Sequence, residues 1–247
     1  MAATTPPDND ILFSRSLHHA HGATRALGGV SIGVGEGEIL AVTGPRGSGK
    51  TTLLRCLSGQ LRPDEGEVWF NSGPVHTLST AQRERLRLTR FGWIGTEPAL
   101  LPELKAWENA ALPLLLAGES RRRARRVAAE WLDRLDVGAL AKAAPRSLTR
   151  AQAQRVVIAR ALVHGPAVVF ADEPTAALPA TEGAQVLRTL VAACRSHGVT
   201  AVLASHLAEC VELADRSLAL VDGRPAAALP AAAYVTGASG ASCSLSV

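Results

Sequence analysis

Gly44-Pro45-Arg46-Gly47-Ser48-Gly49-Lys50-Thr51 fits the pattern GxxxxGK[ST] at every fixed position, and its flanks decide the fold. An apolar run over 39–43 leads in, and Thr52-Leu53-Leu54-Arg55-Cys56-Leu57 leads out with helical character. A buried strand, a glycine-rich turn and a helix in that order form a cradle for phosphate. The glycines let the backbone wrap round the anion, and the loop N–H groups and helix N-terminus point at it. Lys50 is the candidate for the β- and γ-phosphates of a nucleotide and the Thr51 hydroxyl the candidate for Mg²⁺. Gly44 to Gly49 and Thr52 complete the cradle.

A second element argues against a mere helix-opening turn. The run 167–171 (Ala-Val-Val-Phe-Ala) is an apolar strand that delivers Asp172 and Glu173 at its C-terminal end, the edge where open α/β sheets bind ligands. There Asp172 suits the Mg²⁺ shell, and Glu173 suits a base that orients or deprotonates the attacking water. A further strand over 199–204 places His206 just beyond the same edge, within reach of a γ-phosphate.

Working outward, buried strands are expected at 39–43, 91–94, 167–171, 199–204 and 218–221, separated by helices. This alternation predicts an α/β fold with a largely parallel sheet covered on both faces. Asp222-Gly223 is a hairpin pair that adds an antiparallel edge. From about residue 98 to 160 strand-like runs give way to helical periodicity over 107–116, 121–135 and 151–163, which predicts an inserted helical subdomain. Residues 1–10 and 231–247, rich in Ala, Thr, Pro, Gly and Ser, are expected to be disordered tails around a single domain spanning 11–230.

Composition narrows the class. The 247-residue chain is 47% hydrophobic and 19% charged, enough for a substantial core. A net charge of +4, with 23 arginines to 3 lysines, is too mild to imply nucleic acid, which usually needs a clustered patch or a recognition motif. The one dense basic run, RRRARR at 121–126, is expected to be a solvated helical turn, lipid headgroups being the alternative. Cys56, Cys194, Cys210 and Cys243 form no CxxC pair, so reduced thiols and a reducing compartment are expected. No apolar run approaches the ~18 residues that span a bilayer, and no secretion signal is evident. These features together predict a cytoplasmic protein.

The order of these pieces resembles the ATP-binding cassette (ABC) ATPases over nearly the whole chain. Ser147-Leu148-Thr149-Arg150-Ala151-Gln152 and its helix to Leu162 resemble the family signature, lying just upstream of Asp172-Glu173-Pro174-Thr175. Thr149 and Gln152 are also spaced as a capping box. The segment 100–118 resembles the lipoprotein-release and macrolide-export branch. The resemblance implies a P-loop NTPase with a RecA-like core and an N-terminal antiparallel β element. It implies ATP and Mg²⁺ as ligands, hydrolysis coupled to transport, and membrane permease subunits on other chains. It implies a place on the inner face of the cell membrane and docking of the permease after Thr96. His21 falls near the family's adenine-stacking aromatic. The resemblance also implies that ATPase subunits pair, with Thr149 and Gln152 of one facing the nucleotide of the other. A soluble translation or repair member is a poorer match, because this chain has neither a second cassette nor a coiled-coil insertion.

Three departures stand out. Thr96 replaces the family's coupling glutamine, leaving its hydroxyl as a candidate metal ligand. Arg150 and Ala151 replace two signature glycines, and Pro179 replaces a cross-dimer aspartate. The groups that act in cis are intact, whereas those offered to a partner have drifted. The dimer is therefore either a homodimer or a heterodimer with a chain whose signature is intact. A regulatory subunit with little hydrolysis of its own is the alternative function.

Overall fold

The computed structural model describes residues 10–226. In chain order it runs β1 Asp10–His21, β2 Thr24–Gly35, β3 Ile39–Thr43, α1 Lys50–Leu57, β4 Glu65–Phe70, β5 Gly73–Pro74, α2 Thr80–Arg90 and β6 Phe91–Ile94. Three helices follow, α3 Ala106–Leu116, α4 Arg121–Arg134 and α5 Arg150–Leu162. The chain then alternates through β7 Val168–Asp172, α6 Ala180–Ser196, β8 Thr200–Ala204, α7 Ala208–Leu213, β9 Arg216–Val221 and β10 Arg224–Ala226. The tails expected at 1–10 and 231–247 lie outside the described residues, except Asp10. That residue is corrected to strand, because it opens β1 and pairs with Gly35.

The central sheet has the order β10-β9-β3-β8-β7-β6, and every pair from β9 to β6 is parallel. Its strands are short and almost wholly apolar because both faces are covered. Period-two alternation sorts them between two cores. Ile39, Ala41, Val169, Ala171, Ala201 and Leu203 join the core beneath α3 to α6. Leu40, Val42, Val168, Phe170, Val202 and Ala204 join the core shared with α1 and a second sheet. That second sheet, β2-β1-β4-β5, is the antiparallel N-terminal element. Its strands β1 and β2 are twelve residues each, with register shifts in β1 near Ser16, which has φ 46°. The Asp222-Gly223 turn is made as expected. Both residues are left-handed, φ 48° and 72°, which joins β9 to an antiparallel β10 in two residues.

Between β6 and β7 no strand occurs, and α3, α4 and α5 pack on one another. The buried Asn109 secures the entry to α3. Its Oδ1 accepts from Leu101 N at 2.8 Å, and its Nδ2 donates to Leu101 O and Leu104 O. The basic run opens α4 behind an Ser120 N-cap and is solvent-facing. Arg121 and Arg125 lie over Trp107 at 5.2 and 5.4 Å, while Arg121, Arg123 and Arg126 pair with Glu108, Glu119 and Glu130. Among the described residues, the three cysteines Cys56, Cys194 and Cys210 are free and buried.

The parallel register sets the site. Val42 aligns with Ala204, Ala204 with Asp172, and Ala171 with Ile94. The loops after β3, β8, β7 and β6 therefore leave from one carboxyl edge. Phe170 anchors this alignment, wholly buried and edge-on to Phe91 with centroids 5.3 Å apart. Truncating so large a buried ring costs ~3–5 kcal/mol. Phe170→Ala is thus expected to lower the unfolding free energy by about that much in chemical denaturation.

Candidate functional site

β3 ends at Thr43 and the chain turns through Gly44 with φ 142°, where a Cβ would collide with the Leu220 carbonyl. Gly47 (φ 79°) and Gly49 (φ 99°) also need positive φ, and a Cβ on Gly49 would strike the Ala26 carbonyl. The loop thereby curls so that α1 starts at Lys50 with its free N–H groups facing the turn.

Lys50 is only 6% exposed. Its Nζ donates to Gly44 O at 2.8 Å and Pro45 O at 3.0 Å, and lies 3.5 Å from Glu173 Oε1. Gly44 and Pro45 thus hold the lysine from behind the cleft. Glu173 is left-handed at φ 48°, a strained conformation for a non-glycine residue. Its N–H donates to Ala204 O at 2.9 Å, and its Oε2 lies 2.7 Å from His206 Nδ1. The carboxylate is therefore gripped on both sides, by an ammonium and an imidazole.

Thr51 Oγ1 donates to Asp172 Oδ1 at 2.9 Å, and Thr96 Oγ1 donates to Asp172 O at 3.1 Å. Burial, the largest influence, raises the Asp172 pKa; the Thr51 bond pulls it down and the neighbouring Glu173 charge raises it further. The side chains are hard oxygen donors, the chemistry that suits Mg²⁺. A cation here would offset the burial that now disfavours the Asp172 carboxylate. Nearby, the buried Ser48 Oγ has no hydrogen-bond partner and lines the cleft.

A cleft of about 440 Å³ gathers the phosphate loop from Arg46 to Thr52 with Thr96, Glu173, His206 and His21. His21 stands at the β1–β2 hairpin tip, its Nε2 3.2 Å from Thr52 Oγ1. Gly44, Pro45 and Asp172 act one layer back. Thr149 and Gln152 lie outside this cleft. They make the capping box that starts α5, with Gln152 N to Thr149 Oγ1 at 3.2 Å and Thr149 N to Gln152 Oε1 at 2.9 Å. Sequence reasoning missed Thr24, Arg25 and Ala26, which line the cleft from β2. The signal was their place directly after His21 across a two-residue turn.

The family model for ABC transporters matches residues 27–176. The chain belongs to the ABC transporter family. The lipoprotein-releasing system ATP-binding protein LolD 2 of Caulobacter vibrioides is 40% identical over 217 residues, covering 86% of this chain and 95% of the relative. LolD of Porphyromonas gingivalis is 33% identical, covering 86% of this chain and 97% of the relative. The ATP-binding cassette MJ0796, solved as a dimer bound to ADP and Pi, superposes with a TM-score of 0.79 at 30% identity. That match covers 87% of this chain and 97% of the other. The chain is accordingly an ATP-binding, ATP-hydrolysing transporter subunit of P-loop fold, and the likeness to the lipoprotein-release branch read from 100–118 is borne out. No helix of the described residues is long and apolar enough to cross a membrane.

Because the Asp172 pKa is raised on folding, this group stabilises the fold at low pH and loses that contribution as pH rises through its folded pKa. Asp172→Asn removes the burden of the buried charge. It is expected to raise Tm at pH 7, by roughly 2–4 °C per kcal/mol relieved, with the gain vanishing as pH falls through the carboxylate range. Calorimetry across pH 4–7 checks the sign.

Proposed function

We propose that this chain is the motor subunit of a lipoprotein-release or macrolide-export type transporter, acting on the cytoplasmic face of the cell membrane with permease subunits on other chains. The observation that carries this reading is the convergence of Lys50, Glu173, His206 and Thr96 on one cleft beside the phosphate loop. Residues 11–230 act as one ATPase domain, with 98–160 as its helical subdomain.

In the proposed cycle the triphosphate enters the glycine-rich cradle and the adenine lies toward His21. Lys50 exchanges its Glu173 contact for phosphate oxygens, a charge-assisted bond. That exchange frees Glu173 to accept a proton from the attacking water, while His206 orients the other carboxylate oxygen. Thr51, Asp172 and Thr96 are the residues that would hold Mg²⁺, which when bound neutralises charge on the β- and γ-phosphates. Subunits pair so that Thr149 and Gln152 face the partner's nucleotide. The partner is another copy or a chain with an intact glycine-rich signature.

The permease docks in a groove of about 380 Å³, lined by Trp93, Leu112, Pro113 and Leu116 and rimmed by Arg87 and Arg160. Leu116 is 70% exposed there, an apolar side chain that a partner would cover. Arg160 also donates to Ala99 O at 2.8 Å, which ties the groove to the loop bearing Thr96.

Two measurements test this. Lys50→Ala is expected to weaken binding of labelled ATP severely, while Glu173→Gln keeps the affinity and slows hydrolysis at least ~10²-fold; equal affinity of the Lys50 variant and wild type would sink the assignment of the loop. Leu116→Glu is expected to retain ATP binding and lose stimulation by the permease, read as ATPase rate with and without the reconstituted membrane subunits.

A further inference from the structure

Beside the outer end of the cleft stands a pair, the buried His19 and the exposed Asp64, that phosphate chemistry does not use. β1 closes on His18-His19-Ala20-His21, turns at Gly22 with φ 60°, and returns as Thr24-Arg25-Ala26. His21 is exposed and faces the cleft, whereas His19, two residues earlier on the same face of the strand, is only 9% exposed. The two rings meet edge to face, with centroids 4.9 Å apart and an interplanar angle of 80°.

Behind them stands Asp64, tied to three successive residues of β1. Its N–H donates to His18 O at 2.9 Å, and its Oδ2 accepts from Ala20 N at 2.8 Å. Its Oδ1 lies 3.3 Å from His19 Nδ1, which makes no aligned hydrogen bond although it is buried. Packing alone does not explain an imidazole at this position. An apolar ring would fill the same space without desolvating a nitrogen.

A hairpin tip is where order is lost first. The His21 ring here is held from two sides, by Thr52 Oγ1 through its Nε2 and by the edge of His19. A ring fixed before binding loses little freedom when a ligand arrives, which favours affinity. We propose that Asp64 and His19 form a positioning pair that holds His21 as a preset wall for the nucleotide base, so that the pair governs affinity for the base and not for the phosphates. This rests on the reading of the cleft as an ATP site with His21 at its base end. The phosphate end of the cleft is lined by Arg46 to Thr52, and neither His19 nor Asp64 is among the residues that line the cleft.

The test is calorimetric titration of the purified chain with ATP and, separately, with inorganic tripolyphosphate. It compares the wild type, His21→Ala, His19→Ala and Asp64→Ala. Each variant is expected to bind ATP about 3- to 10-fold more weakly, the scale of one aromatic contact, with tripolyphosphate affinity unchanged in His19→Ala and Asp64→Ala. The unchanged tripolyphosphate affinity also reports that the variants are folded. ATP affinity unaltered in His19→Ala and Asp64→Ala would overturn the inference, and so would parallel loss of ATP and tripolyphosphate. A wild type that binds tripolyphosphate but shows no preference for ATP would instead sink the base-end reading on which the inference rests.

Discussion

The ammonium of Lys50 is nearly buried, and a buried charge persists only where its surroundings replace the water it has lost. The fold supplies three acceptors: the carbonyls of Gly44 and Pro45 and the carboxylate of Glu173. Each demands something of the architecture. The carbonyls turn inward only because Gly44 takes a φ that a side chain would forbid. The carboxylate arrives only because β7 ends level with β8 and two strands away from β3. The sheet order, the glycine spacing and the strained turn at Glu173 are thus aspects of one electrostatic requirement. An ammonium has three donors, and here two hydrogen-bond to carbonyls while the Glu173 carboxylate lies 3.5 Å away as an ion-pair partner. The tie an incoming phosphate most readily replaces is the long one to Glu173.

The parallel core was legible because its strands are short, apolar and followed by distinctive loops. Ile39–Thr43 and Phe91–Ile94 match their expected bounds, and the other three expected strands fall within one or two residues of theirs. The antiparallel sheet was legible only through family resemblance. β1 carries His, Ser and Arg, and its register shifts break the alternation that marks a half-buried strand. The same irregularity concealed Thr24, Arg25 and Ala26, whose position depends on where the hairpin turns and not on their chemistry. The links between candidate residues were equally invisible. Nothing in the spacing of Thr96 and Asp172 reveals that the Thr96 hydroxyl bonds the Asp172 carbonyl.

The segment that resembles the signature keeps a sound helix start. Thr149 and Gln152 satisfy each other's backbone groups, which fixes the start of α5 at Arg150. Arg150 spends part of its charge within the chain, donating to Ala177 O at 3.4 Å. Ala177 belongs to the segment that leads to Pro179, the N-cap of α6. Arg150 thus links the start of α5 to the segment that leads into α6. Substitutions here are coupled and should not be judged singly.

The left-handed backbone at Glu173 has an evolutionary consequence. A glycine would adopt that conformation without strain, whereas glutamate costs on the order of 1–3 kcal/mol there. A population selected for heat resistance alone would therefore drift toward glycine and discard the carboxylate. Glutamate in so unfavourable a conformation sets the contacts of its carboxylate with Lys50 and His206 against the strain of the turn. The turn is a place where the two pull in opposite directions along one chain.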